Sequence, residues 1–110
     1  MMLIIDTEAG LATPPDELKP LFAQIKAWYE QMTSSGKVID AGHELAGASS
    51  AKTIRATGVT DGPFIEAKEV LGGYSVLEAQ DIDEAVRIAG SWPGVDRGLV
   101  TIEVRPFMTR

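Results

Sequence analysis

Cysteine is absent from this sequence, and only one histidine occurs among its 110 residues. Without a thiol, the chain cannot form a disulfide bond, use a cysteine nucleophile or build a cysteine-ligated zinc or iron–sulfur site. The lone histidine, His43, is followed by Glu44 on a predicted strand, where adjacent side chains point to opposite faces. We therefore expect neither a metal site nor a cofactor.

Clusters of basic residues and long apolar runs are also missing. Ten lysine and arginine residues, scattered along the chain, stand against sixteen acidic ones, for a formal net charge of -6. Neutralising a nucleic-acid backbone requires clustered cations, so we expect no direct nucleic-acid binding. The apolar run at 2–5 is far shorter than a signal-peptide core or a membrane span. The expected location is the cytoplasm, without membrane association.

The composition is that of one ordinary globular domain. Apolar residues make up 45% of the chain and charged residues 24%, which is the balance of a folded protein. A chain of 110 residues divided into two independent cores would leave both halves too small to be stable. We therefore predict a single domain over residues 1–110.

Hydrophobic periodicity predicts strands and helices in the order βαββαβ, with room for an extra hairpin. The predicted strands lie at 2–5, 37–45, 52–57, 74–79 and 100–104, and the predicted helices at 13–36 and 81–90. Residues 58–73 break the alternation and are predicted to form a loop with a turn at Asp61, Gly62 and Pro63. Asp81, with Glu84 three residues later, predicts the start of the second helix.

The sequence predicts one end for the first helix but two possible starts. Thr13 precedes two prolines and two acids, which is typical of a helix N-cap followed by a first turn. Pro20 lies inside the apolar stripe that follows, so the helix either bends there or begins at Lys19. Gly36 predicts the end of the helix, because glycine readily adopts the left-handed conformation that closes helices.

This order predicts an α+β fold, the ferredoxin-like βαββαβ plait, with an antiparallel sheet and two helices on one face. The second face of the sheet would then be bare. Alternation leaves apolar groups on both faces of the central strands, and an exposed apolar face favours association. We therefore predict a homodimer in which two sheets cover each other.

Residues 59–74 read VTDGPFIEAKEVLGGY. This segment resembles the signature of the YCII-related family, in its DGPF subgroup. The resemblance extends to residues 42–45, 53–55 and 104–107, and so covers nearly the whole chain. It implies a dimeric α/β-barrel of ferredoxin-like type. It implies little about activity, because members of this subgroup are mostly uncharacterised.

The same resemblance implies a cellular context and a chemical one. Some members of the subgroup are encoded beside, or fused to, extracytoplasmic-function sigma factors, which implies a functional link to such a factor. The wider family has been credited with an enzymatic histidine and aspartate pair. This chain departs from that pattern, because no histidine occurs on its first predicted helix, and the hairpin before its signature is shorter than is common in the family.

The candidate catalytic residues are Asp61 and His43. Asp61 opens the signature at a strand end, and His43 shares a predicted strand face with apolar residues, where an imidazole can carry protons near neutral pH. We predict that the two side chains approach each other as an acid–base pair. The structural alternatives are local turn hydrogen bonds for Asp61 and simple packing for His43.

The signature also predicts a ligand site. A guanidinium such as that of Arg55 can hold a carboxylate through two hydrogen bonds, so we expect a small anionic or zwitterionic ligand. The candidate ligand-binding residues are Arg55, Gly62, Pro63, Phe64, Glu66, Lys68 and Tyr74. Salt bridges that pin the loop to the sheet are the alternative explanation of these charges. Gly72 and Gly73 precede a strand rather than a helix, which argues against a phosphate-binding loop.

Two functions follow from these residues. The favoured one is a dimeric small-molecule-binding or regulatory module linked to a sigma-factor system, because acid–base machinery is sparse in a chain with one histidine. The alternative is a small cofactor-independent enzyme in which Asp61 and His43 transfer protons in the dimer cleft.

Overall fold

The computed structural model describes residues 1–63 and 69–109. The strands in these residues are β1 (Met2–Asp6), β2 (Val38–Glu44), β3 (Lys52–Arg55), β4 (Gly58–Asp61), β5 (Val70–Leu77) and β6 (Val100–Val104). The helices are α1 (Glu8–Ala12), α2 (Pro15–Ser34) and α3 (Ile82–Gly90), and a short 3₁₀ turn spans Ala48–Ser50. None of these helices has the length and hydropathy needed to cross a bilayer.

Four of the strands form one antiparallel sheet in the order β2-β5-β1-β6. Strands β3 and β4 form a separate two-stranded hairpin, which is the extra hairpin for which the sequence left room. Without that hairpin and the short helix α1, the remaining elements follow the predicted order βαββαβ. The prediction of an α+β ferredoxin-like fold is confirmed.

The hydrophobic core lies between the sheet and the helices α2 and α3. Met2 of β1 and Ser75 of β5 stand directly opposite each other, and neither has exposed surface. Trp28 from α2 and Ile88 from α3 pack in the same buried cluster as Met2. Both helices therefore cover one face of the sheet, as the right-handed crossover rule predicted. The neighbouring residue Leu3 points to the open face.

The entry to α2 differs from the prediction. Thr13 is not its N-cap; it ends the unpredicted helix α1, and its hydroxyl donates to the carbonyl of Ala9 at 2.8 Å. Helix α2 begins at Pro15 and runs through Pro20 to Ser34, so it does not begin at Lys19. Proline is well suited to the first helical position because its φ is already helical there. At Pro20, the missing backbone N–H removes one internal hydrogen bond without ending the helix.

The predicted loop at 58–73 is the other correction. It contains strand β4, whose Gly58 pairs with Arg55 across a tight turn, and the first residues of β5. Two features explain why the sequence pattern did not predict these strands. The hairpin has weak apolar alternation, and a bulge in β5 breaks the two-residue period where Ile4 pairs with Gly73 but Ile5 pairs with Leu71. The end of α2 and the strand β6 lie where the sequence predicted them.

Candidate functional site

A cavity of about 640 Å³ opens between the sheet and the N-terminal half of α2, beside α1. Small-molecule sites in proteins typically enclose about 300–1,000 Å³ and have mainly apolar walls. The apolar part of this lining includes Ile4, Leu18, Leu21, Phe22, Ile25 and Trp92. The cavity therefore has the size and the wall chemistry of a site for a small organic molecule.

Two carboxylates reach this cavity from the ends of two strands. Asp6 is the last residue of β1 and Glu44 the last residue of β2, and both line the cavity. Strands β1 and β2 are each antiparallel to β5, so they run in the same direction and end at the same edge of the sheet. The sheet topology thus brings together two acids that are 38 positions apart in the chain.

Asp6 is partly buried and electrostatically disfavoured as an anion. Burial raises the pKa of its carboxyl group above the ordinary value of 3.8, and the neighbouring charge of Glu44 raises that pKa further. Within residues 1–63 and 69–109, neither carboxylate forms an ion pair with a lysine or arginine. The cavity therefore contains an acid whose charge no described cation neutralises by direct contact.

Gly72 makes room for this carboxylate. It is the bulged residue of β5, and a Cβ atom built on it would overlap the side-chain oxygens of Asp6. Its carbonyl accepts a hydrogen bond from the backbone N–H of Leu45 at 2.7 Å, which fixes the chain just beyond Glu44. Gly72 thus lies within β5 rather than before the strand, and glycine at this position leaves room for the Asp6 side chain.

The cavity wall beside α2 contains a chain of partly buried hydrogen bonds. The indole Nε1 of Trp92 donates to the hydroxyl of Tyr29 at 3.2 Å, and that hydroxyl lies 2.7 Å from Oγ of Ser75. Oγ of Ser75 in turn donates to the carbonyl of Ala41 at 2.7 Å. The chain joins α2, the turn after α3, and the strands β5 and β2, so it fixes the position of the Tyr29 hydroxyl.

His43 lines the cavity, whereas Asp61 does not. His43 is exposed at the end of β2, and its ring centroid lies 6.2 Å from that of Tyr74 across the strand pair. Asp61 ends the hairpin strand β4, where its exposed carboxylate pairs with Lys52. No hydrogen bond joins His43 and Asp61 in the described residues, so the acid–base pair stays a prediction.

The predicted ligand-binding residues are divided between two places. Tyr74 lines the cavity, whereas Arg55 lies on the hairpin, where Nη1 donates to the hydroxyl of Thr60 at 3.3 Å. Gly62 turns the chain with φ of 94°, and its N–H donates to the carbonyl of Ala51 at 2.7 Å. Pro63 follows in the same turn region. The remaining three predictions, Phe64, Glu66 and Lys68, lie outside the described residues.

Sequence reasoning missed Asp6 and Glu44. The available signal was that Asp6 directly follows the first predicted strand and Glu44 lies one residue before the end of the second, and that the two strands run in the same direction in the predicted fold. In the part of the chain that the structure describes, no three histidine, aspartate or glutamate side chains are grouped so that they could hold a metal ion.

Two comparisons with known proteins bear on this site. The family model described as the YCII-related domain matches residues 1–108, which include every cavity-lining residue named above. A search of curated proteins found no match to the chain.

Proposed function

Because the chain belongs to the YCII-related family, we propose that it is a small-molecule-binding module whose ligand occupies the cavity between α2 and the sheet. The observation that carries this proposal is the partly buried carboxylate of Asp6, which lines an apolar cavity of about 640 Å³ and has no described ion-pair partner. Burying such a group is costly unless something hydrogen-bonds to it. A ligand that fills the apolar space and contacts Asp6 would supply that bond.

The proposal includes the DGPF subgroup and a homodimer. The open face of the sheet presents Leu3, Ile5 and Val76, which are only partly buried in one chain, and Leu71, which is exposed. A face of this kind favours pairing with a second copy, and would form the dimeric α/β-barrel that the signature implies. Analytical ultracentrifugation should find a dimer, and the substitution Leu3→Glu should convert it to a monomer. A monomeric wild-type protein at micromolar concentration would contradict this part.

The regulatory part of the proposal is supported by the resemblance of residues 59–74 alone. In this part we propose a cytoplasmic protein with a functional link to an extracytoplasmic-function sigma factor. Deleting the gene should change transcription from the promoters that the associated sigma factor recognises. Unchanged transcription under inducing conditions would refute the link and leave the cavity proposal standing.

A cofactor-independent enzyme is the second candidate, and the raised pKa of Asp6 favours it. A carboxyl group whose pKa lies closer to neutrality is better suited to exchange protons with a bound substrate. His43 lines the same cavity and would be the second proton carrier. Asp61 keeps its proposed catalytic part only if the second subunit brings its own hairpin to this cavity.

The experiment that tests the binding function is an NMR fragment screen with the full-length protein. Binders should shift the backbone amide signals of Gly42, Gly72 and Gly73, which line the cavity. The substitution Leu18→Trp should abolish these shifts, because Leu18 lines the cavity and the larger indole would occupy the ligand space.

The matched control for the screen is Val86→Trp, since Val86 is exposed on α3 and does not line the cavity. This variant should bind the same fragments as the wild type. Fragments that bind only elsewhere, or that bind Leu18→Trp unchanged, would refute the cavity as the binding site.

A further inference from the structure

The hydroxyl of Tyr29 can offer a ligand only a lone pair, because its proton is already used. An indole N–H can only donate and a backbone carbonyl can only accept, so the two ends of this hydrogen-bond chain fix its direction. Ser75 gives its one proton to the carbonyl of Ala41, and must therefore accept the proton of Tyr29. Tyr29 in turn accepts from Trp92. This wall of the cavity therefore presents an acceptor.

The strand ends that line the cavity present acceptors as well. Ionised carboxylates, such as those of Asp6 and Glu44, have no proton to donate. Their mutual repulsion contributes to the raised pKa of Asp6, which means that a positive charge placed between them would be stabilised by both. Three acceptor groups, the Tyr29 hydroxyl and the two carboxylates, thus line a largely apolar cavity and favour a donor with a positive charge.

Two cationic or titratable side chains also face this cavity, Lys26 from α2 and His43 from β2. Both residues are exposed, so water and salt screen their charges. Neither forms an ion pair with Asp6 or Glu44 in the described residues. They leave the carboxylates of Asp6, which is partly buried, and Glu44, which is exposed at the end of β2, available to a ligand that enters the cavity.

We propose that the cavity selects small molecules with an apolar body and a protonated amine at one end. The ammonium group would bind the carboxylates of Asp6 and Glu44, and the apolar body would pack against Leu18, Phe22 and Ile25. This inference rests on the proposed function, that the cavity binds a small molecule, and adds the chemical class of the ligand. A zwitterion satisfies it only through its ammonium end.

Three probes of nearly equal size and shape test the ligand class: 2-phenylethylammonium, 2-phenylethanol and phenylacetate. Each is titrated at pH 7 into the labelled wild-type protein, and affinity is read from the amide signals of Gly42, Gly72 and Gly73. We expect the ammonium to bind about tenfold more tightly than the alcohol, which is the ordinary gain from a hydrogen bond to a charged group. Phenylacetate should bind more weakly than both.

The carboxylate variants assign the effect to its residues. Asp6→Asn and Glu44→Gln should each lower the affinity for the ammonium by about tenfold and change the affinity for the alcohol by less than about twofold. Asp96→Asn is the matched control, because it removes the same charge from an exposed turn outside the cavity. It should change neither affinity appreciably.

The outcomes separate the ligand class from the binding function. If phenylacetate or the alcohol binds the cavity as tightly as the ammonium, the ligand class is wrong and the binding function stands. If the ammonium binds the wild type and the Asp6→Asn and Glu44→Gln variants equally, the class is wrong for the same reason. If none of the three probes shifts the cavity glycines, this inference is overturned, and the fragment screen decides independently whether the binding function falls with it.

Discussion

The four-stranded sheet and the β3–β4 hairpin are both built from antiparallel strand pairs, yet only the sheet contains buried side chains. Met2 and Ser75 in the sheet have no exposed surface. None of the residues in the two hairpin strands is buried, and the apolar side chains of Ile54 and Val59 are 79% and 63% exposed. The difference arises because two helices cover the sheet, and no described element covers the hairpin in the same way.

This contrast indicates which region determines folding stability and which region is free to serve a function at the surface. An isolated two-stranded hairpin is at best marginally stable in water. Its local contacts include the pairing of Ile54 with Val59, the Lys52–Asp61 ion pair, and a bond from the hydroxyl of Thr53 to the carbonyl of Gly62 at 2.8 Å. We therefore expect substitutions in the helix-covered body to change folding stability strongly, and those in the hairpin to change it little.

The largest effect is expected for Trp28→Ala. Trp28 is buried in the core cluster, and its Nε1 donates to the hydroxyl of Ser91 at 2.9 Å. Truncation should lower the free energy of unfolding by about 3–5 kcal/mol, whereas Ile54→Ala in the hairpin should cost less than about 0.5 kcal/mol. Urea denaturation measures both values. A cost above about 2 kcal/mol for Ile54→Ala would break the comparison, because it would mean that the dimer buries the hairpin.

Glycine substitutions compare how tightly the backbone is packed in the sheet and in the hairpin. Gly42 has φ of 72°, and a Cβ atom there would overlap the backbone carbonyl of Tyr74, so Gly42→Ala should cost about 2–3 kcal/mol. Gly58 in the hairpin also has a positive φ, of 135°, but nothing lies within 4 Å of its Cβ position. Gly58→Ala should therefore cost only about 1 kcal/mol.

The control for both variants is Gly90→Ala, at the end of α3. Gly90 has an ordinary φ and open space around the Cβ position, so alanine should be neutral or stabilising by up to about 1 kcal/mol. Equal losses for Gly42→Ala and Gly58→Ala would show that the two regions do not differ in how tightly their backbones are packed.

The sequence predicted the body of the fold better than its edges. Strand β6 and the cap of α3, where the carboxylate of Asp81 accepts from the N–H of Glu84 at 2.8 Å, follow from local chemistry that a sequence displays directly. Strand β4 and helix α1 are short and weakly patterned, and the helix has no buried residue. Elements of this kind are held by their neighbours, so their own residues carry little signal.

The candidate site was predicted less well than the fold. The signature directed attention to residues 59–74, and of its described residues only Gly72, Gly73 and Tyr74 line the cavity. The acids of the cavity, Asp6 and Glu44, are distant in sequence and meet because β1 and β2 run in the same direction. Such a meeting depends on strand order and register, which alternation alone does not specify.

Asp6→Asn is expected to change folding stability by a smaller amount, and to raise it rather than lower it. Because burial and Glu44 raise the folded-state pKa of Asp6, the folded protein binds this proton more tightly than the unfolded chain does. Wild-type stability from this group is present below the unfolded value of 3.8 and is lost as pH rises through the raised folded value. Asparagine at position 6 does not ionise, so the variant does not lose stability in this way as the pH rises.

The melting temperature of Asp6→Asn minus that of the wild type should therefore increase between pH 3.5 and pH 7. Comparing the two proteins at each pH cancels the titration of the other carboxylates. Asp96→Asn again serves as the control, and its difference from wild type should change little over this range. A variant that becomes less stable than wild type at neutral pH would mean that the Asp6 carboxylate is already satisfied in the folded protein.

Another small effect on stability is expected for Asp61→Asn, which tests the hairpin and the predicted catalytic residue together. The side chains of Asp61 and Lys52 are 84% and 65% exposed, and ion pairs of that kind contribute less than about 1 kcal/mol. Lys52→Met breaks the same ion pair and should lower stability by a similar amount. If the hairpin serves only its own structure, both variants should bind fragments in the cavity as the wild type does. If a second subunit delivers Asp61 to the cavity, Asp61→Asn alone should weaken binding or abolish turnover while stability stays the same. That divergence between two variants of one ion pair would give the exposed hairpin a function that its own packing does not require.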